Sequence, residues 1–280
     1  MRAMFIALLL GGACAIRRAF YWKAEGERVL KPGYLTPPPS LAARFVRWVF
    51  SLTFKFLFVG PVRIIGAHNL KYPGRVIVLG NHQTERDSLL SLYLLGLREA
   101  RYFIASNQAT RTRAPFVAFT GGITVDREQP RGPASALSSA IKAMIKEEES
   151  SFVIFPQGRL VRTNELKRED FFPGVVLLGR KVGEKSDASV AYLPFGVYFD
   201  RDPANASPFH KAMIRLGWKS FRKIFGEVVY RAVIVVGEPI PVRAMPRDPE
   251  KATDVLFERI VELSTRAAEA AGQSTSLATQ

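Results

Sequence analysis

The chain has 280 residues, 48% of them hydrophobic and 23% charged, with a formal net charge of +15. That length holds one large domain or two small ones around a real core, and the composition excludes a disordered chain. A single cysteine excludes an intramolecular disulfide framework, three histidines make a Cys/His zinc site a poor fit, and the surplus of Lys and Arg points to a polyanionic partner: nucleic acid, an anionic membrane surface or a phosphorylated substrate.

At the N-terminus, Ala3 to Ile16 is apolar apart from small residues, and Arg17-Arg18 follow. About 14 residues is short of the roughly 20 that span a bilayer. The run reads as a short membrane anchor or, with Ala13-Cys14-Ala15 flanking a cleavable bond, as a signal peptide. Pro37-Pro38-Pro39 reads as a stiff linker. Leu41 to Gly60 comes next. Wound as a helix, it gathers Arg44, Arg47, Ser51 and Lys55 into an arc of about 80°, leaving Phe, Val, Leu and Trp around most of the remainder. A narrow basic stripe on a wide apolar body fits a helix lying in a membrane interface. A core helix with its basic stripe in water is the alternative. Two such segments in succession favour the membrane, so residues 1–60 are read as a membrane-associated helical region.

From residue 61 strands and helices alternate. Predicted strands are Val62-Gly66, Arg75-Leu79, Arg101-Ala105, Ile123-Asp126, Phe152-Phe155, Ser189-Tyr198 and Tyr230-Val236, several of them β-branched and bounded by Gly or Pro. Predicted helices are Asp87-Arg98, Pro133-Glu148, Gly174-Val182 and Pro249-Ala271. The last has Asp248 as N-cap, Pro249 at its first position, Gly272 past its end, and Leu256, Ile260, Leu263 and Ala267 on one face. The expected fold is an α/β domain over residues 61–280, with a largely parallel central sheet flanked by helices. Sites on such sheets lie beyond the carboxyl ends of strands. His82, Arg127 and Gly158 each follow a predicted strand and are expected to converge on one edge.

Four stretches carry candidate chemistry. In Gly80-Asn81-His82-Gln83-Thr84-Glu85-Arg86-Asp87, a histidine ends a strand and a carboxylate opens the next helix. An imidazole takes a proton on one nitrogen when a carboxylate holds the other as a donor, so His82 and Asp87 form a base and orienter pair. In Gly121 to Arg127, a strand ends in Asp126-Arg127, and the guanidinium suits a phosphate. In Phe155-Pro156-Gln157-Gly158-Arg159-Leu160-Val161-Arg162, a tight turn is followed by two arginines, an arrangement suited to an anion. Tyr192-Leu193-Pro194-Phe195-Gly196-Val197 is a strand broken by proline. Taken singly, each has a purely structural explanation: an N-cap, a surface ion pair, a turn, an edge.

Together, in this order and spacing, the four resemble the lysophospholipid and glycerol-phosphate acyltransferase family. Its motifs run Asn-His-x4-Asp, Gly-x-Ile-x-Val-Asp-Arg, Phe-Pro-Glu-Gly-Thr-Arg-Ser-Arg and a Val-Pro-Val-type strand. Val236-Gly237-Glu238-Pro239-Ile240 also looks like the family's Gly-x-Pro-Ile ending, so the likeness spans roughly residues 60 to 242. It implies direct transfer of a fatty acyl group from acyl-CoA or acyl-carrier protein to a lysophospholipid hydroxyl. The first acceptor implied is 1-acylglycerol-3-phosphate, at the cytoplasmic face of a membrane. His82 would be the base and Asp87 its partner. Arg127, Gln157, Gly158, Arg159 and Arg162 would bind substrate. No metal and no cofactor beyond the acyl donor is implied. The chain departs from the pattern at Gln157, where the family has glutamate, at Leu160, and at Ser106-Asn107-Gln108, where the family often has lysine and glutamate. These changes leave the base intact and open the acceptor to another lysolipid. A non-catalytic lipid-binding relative is the competing expectation, opposed by the intact His82 and Asp87. Nucleic-acid binding is disfavoured by scattered arginines and by the lack of a stacking or zinc module.

Overall fold

The computed structural model describes residues 25–36, 61–83, 100–146, 151–161, 165–186, 189–215 and 229–272. The apolar run 3–16, the proline linker, the basic-striped segment 41–60 and the helix predicted over 87–98 lie outside these residues. Among the described residues, no helix is long and apolar enough to cross a membrane.

In chain order the elements are β1 (Val62–Ile65), β2 (Arg75–Gly80), β3 (Ala100–Ala105), α1 (Ala114–Thr120), β4 (Gly122–Val125), α2 (Gly132–Lys146), β5 (Ser151–Ile154), α3 (Gly174–Lys185), β6 (Val190–Asp200), α4 (Pro208–Arg215), β7 (Arg231–Val236), β8 (Ile240–Pro241) and α5 (Pro249–Ala270). The chain divides into two compact units, Met1–Ala43 with Arg101–Ala143, and Arg44–Ala100 with Met144–Gln280.

In the smaller unit β3 and β4 pair in parallel, from Tyr102 opposite Gly122 to Ala105 opposite Val125. The segment 25–36 is stitched to this pair. Thr124 Oγ1 donates to the Val29 carbonyl at 2.6 Å, and the Arg101 guanidinium donates to Thr36 Oγ1 at 3.2 Å and to its carbonyl at 3.0 Å. Val29 packs on Ala109, Ala114, Val117 and Ala118. Buried Glu25 is satisfied by Arg28 at 2.8 Å and by the Tyr34 hydroxyl at 2.9 Å.

In the larger unit the strand order is β1-β7-β6-β2-β5, with β8 on β6. β1 runs parallel to β7, and β2 runs parallel to both β6 and β5; β7 and β8 run antiparallel to β6. The predicted parallel sheet is present, with its direction reversing at β6. β2 is buried along its whole length, as expected of a continuous Val/Ile/Leu run covered on both faces. α5 supplies one cover. Asp248 accepts from the Glu250 amide as N-cap, Pro249 opens the helix, and Gly272 takes φ 78 just past its end. Its Leu256, Ile260, Leu263 and Ala267 are each at most 1% exposed, and Leu263 and Ala267 lie against Val233 and Val235 of β7. The helix also meets β6 closely. A Cβ at Gly196 would stand 2.1 Å from the Ser264 nitrogen, so only glycine fits there. α3 buries Val175, Val176, Leu178 and Val182. The Tyr192 hydroxyl donates to the Val176 carbonyl at 2.9 Å, and burial pushes this phenol well above its ordinary value. Arg75, also buried, donates through Nε to the Met144 carbonyl, through Nη2 to that of Ile145 at 3.0 Å and through Nη1 to Ser186 Oγ at 3.1 Å. A guanidinium among last-turn carbonyls balances its charge against the negative end of a helix.

Candidate active site

β2 and β5 are parallel neighbours, with Leu79 paired to Ile154. Both leave the sheet at the same edge, which brings Asn81-His82-Gln83 against Phe155-Pro156-Gln157-Gly158. This is the convergence expected of His82 and Gly158.

Asn81 is 0% exposed, and its carboxamide meets one residue of β6 twice. Nδ2 donates to the Val197 carbonyl at 2.9 Å, and Oδ1 accepts from the Val197 amide at 2.9 Å. The β2–β6 ladder runs to Gly80 opposite Phe195. Beyond that point a primary amide stands in for a peptide group, extending the pairing while the main chain turns away. Chemistry settles the orientation of the amide, because an N–H must meet oxygen and a carbonyl must meet nitrogen.

His82 therefore stands past the end of the strand but is not loose. Its amide donates to Gln157 Oε1 at 2.6 Å, and its carbonyl accepts from the Val161 amide at 2.8 Å. Its ring stacks on Phe155 with centroids 4.4 Å apart and planes 15° from parallel. Main chain and ring are thus held from separate directions by residues of a single loop. Gln83, buried, receives a hydrogen bond at its carbonyl from Arg201 Nη2 at 3.3 Å, which places a guanidinium just beyond β6 next to the histidine's neighbour.

The loop after β5 has its own supports. Gly158 takes φ +60, a left-handed conformation. A Cβ there would meet only the Phe172 ring at 3.6 Å, so the turn, not a lack of space, calls for glycine. Its amide donates to the Phe155 carbonyl at 3.0 Å, and the Phe172 amide donates to that of Pro156 at 3.1 Å. Arg159 projects into solvent with a side chain 64% exposed and pairs with Asp170 at 2.5 Å. The neighbouring Arg168 reaches back to α5, to Asp254 at 2.5 Å and Glu250 at 2.8 Å. An anion at Arg159 would compete with a single carboxylate. Phe172 itself is 58% exposed.

Of the predicted site residues, the structure brings together His82, Gln157, Gly158 and Arg159. Gln157 is 1% exposed and bonded to the backbone of His82. Arg127 is exposed on the loop after β4, in the smaller unit. Asp87 and Arg162 lie outside the described residues. Asn81, quoted from sequence only as part of the Asn-His-x4-Asp pattern, had no role assigned to it there. Its signal was available: an amide side chain at the first position past a buried parallel strand.

A model of the family described as Acyltransferase matches residues 61–195, from the start of β1 into β6. The 1-acyl-sn-glycerol-3-phosphate acyltransferase of Borreliella burgdorferi is 31% identical over 133 residues, covering 45% of this chain and 50% of that protein. The chain thus matches about half the length of this curated relative. Among solved structures, the 1-acyl-sn-glycerophosphate (LPA) acyltransferase PlsC from Thermotoga maritima aligns over 98% of this chain and 95% of its own, with a TM-score of 0.54 and 16% identity. At that identity the likeness concerns the fold.

Proposed function

We propose, from the match of residues 61–195 to the Acyltransferase family model, that the chain is a membrane-associated O-acyltransferase that esterifies a lysophospholipid hydroxyl with a fatty acyl group from acyl-CoA or acyl-carrier protein. The first acceptor is 1-acylglycerol-3-phosphate, giving phosphatidate. The observation that carries this reading is the setting of His82 at the carboxyl edge of β2, with amide, carbonyl and ring each held by the Phe155–Val161 loop.

In this mechanism the acceptor oxygen bonds to the thioester carbonyl carbon while its proton passes to His82. The carbonyl then re-forms, the C–S bond breaks, and the departing sulfur takes the proton from the imidazolium. Asp87, five residues on in sequence, would fix the tautomer of His82 and stabilise its charged form. Arg159, exposed on the loop after β5, would meet the acceptor phosphate, and the resemblance implies Arg127 and Arg162 for the same task. No covalent acyl-enzyme is called for. Base catalysis of this kind contributes about 10²–10⁴-fold, and alignment of two bound substrates supplies much of the rest.

His82→Ala is expected to remove acyl transfer from labelled acyl-CoA by at least about 10²-fold, with an unchanged thermal melt. Turnover near wild type in this variant would sink the assignment of the base. A panel of lysolipids, followed by identification of the acylated product, tests the acceptor.

A further inference from the structure

We infer that Gln157 is a positioning residue for His82 and not a reader of the acceptor headgroup, and that a neutral carboxamide serves here because the task needs one buried acceptor and no charge. This rests on the proposed role of His82 as base. Three observations carry it. The side chain is 1% exposed, so it offers almost no surface to an incoming ligand. Its oxygen is committed, 2.6 Å from the His82 amide. The amide it satisfies is also one that the sheet no longer serves, since the described β2–β5 register ends at Leu79 opposite Ile154. A main-chain N–H left without an acceptor at this half-buried place would be costly. The Gln157 side chain replaces the missing ladder partner and thereby sets where His82 leaves the strand.

A headgroup reader needs the opposite properties, and the same loop has one. The Arg159 side chain is 64% exposed and two positions further on. The glutamate found here in the resembling family could accept from the same amide, but it would bring a carboxylate into a site closed to water. Gln157 does the accepting without that burden, so this departure from the pattern says little about which lysolipid is bound.

The test compares Gln157→Leu, which removes the acceptor, with Gln157→Glu, which keeps one, in the full chain with oleoyl-CoA and lysophosphatidate in mixed micelles. Gln157→Leu is expected to lower kcat by roughly tenfold to a hundredfold, the scale of a displaced catalytic group, with the acceptor KM within about twofold. Gln157→Glu is expected to restore most of kcat. A large rise in acceptor KM at unchanged kcat would overturn the inference and return Gln157 to the headgroup site, and wild-type kcat in Gln157→Leu would equally overturn it. A second readout needs no turnover. The chain has three histidines, so ¹⁵N-histidine labelling gives one backbone amide signal each for His68, His82 and His210, assigned through His68→Gln and His82→Gln. The His82 amide should move upfield in Gln157→Leu and stay near its wild-type position in Gln157→Glu. No movement in the leucine variant would remove the contact. A wild-type protein inert toward every lysolipid would sink the acyl-transfer reading, while the spectrum would still decide whether Gln157 holds His82.

Discussion

Asn81 holds the strongest single arrangement at the site edge. Both atoms of its carboxamide are matched to the two backbone groups of Val197 at 2.9 Å, in a place with no solvent exposure. Asn81→Ala would strand a buried N–H and a buried carbonyl, each costing about 1–3 kcal/mol. The expected loss is therefore roughly 2–6 kcal/mol, seen as a fall in the melting temperature of about 2–4 °C for each kcal/mol lost. Asn81→Asp should be no milder, because a carboxylate can take the Val197 amide but sets its second oxygen against the Val197 carbonyl. A melt of Asn81→Asp close to wild type would show that the pairing contributes little. At this scale the sequence was partly legible. His82, Gly158 and Arg159 stood out because their chemistry is unusual at the end of an apolar strand. Asn81 did not, because an asparagine after a strand ordinarily signals a turn, and its partner Val197 lies more than a hundred residues away. For Gln157 the resemblance implies substrate binding; its burial and its 2.6 Å contact with the His82 amide are what support the bracing role inferred above.

Among the elements, β6 and α5 meet backbone to backbone. At Gly196 the strand backbone meets the helix backbone so nearly that a Cβ would lie 2.1 Å from the Ser264 nitrogen and 2.2 Å from the Leu263 carbonyl carbon. Backbone cannot rotate out of the way as a side chain can. Gly196→Val should therefore lift the helix from the strand and cost about 3 kcal/mol or more, at the upper end of overpacking. The shift should appear as a lower urea midpoint. Val197, the anchor of Asn81, is the next residue, so the same variant should also disturb the His82 amide signal. A midpoint like that of wild type would show that the two backbones separate without cost. The strands and α5 were readable from sequence because they are β-branched runs and a capped 3.6-residue stripe. α1 and α4 were not. α1 is the seven-residue Ala-Pro-Phe-Val-Ala-Phe-Thr, too short and too uniformly apolar to show a period, and α4 is a single short stretch, Pro208–Arg215. The reversal of direction at β6 was also invisible, since alternation of strands and helices names a class but not the sense of each crossing.

For the whole chain, the +15 charge and the segments 1–60 bear on where the protein works. If the basic stripe at Arg44, Arg47 and Lys55 lies at a membrane interface, binding to vesicles containing anionic lipid should weaken as salt rises, by about 1 kcal/mol for each cation screened from the surface. Deleting residues 1–60 should shift the protein from the membrane to the soluble fraction. Retention of the truncated chain on vesicles at unchanged salt dependence would move the membrane contact to residues 61–280. The two compact units were not foreseen as such. The smaller one joins residues near the N-terminus to a stretch beginning at Arg101, and a linear reading has no means of folding Thr36 onto Arg101.

The main-chain N–H and carbonyl of His82 are both engaged inside the protein, by Gln157 and Val161. The N–H cannot be lent to a substrate without breaking its bond to Gln157, while the carbonyl keeps its second lone pair. On the proposed function, chemistry at this position would run through the imidazole, because the His82 N–H is not available to polarise a reacting carbonyl. Under that proposal proton transfer and charge stabilisation would fall to different residues, so a substitution that impairs one should leave a measurable remnant of the other.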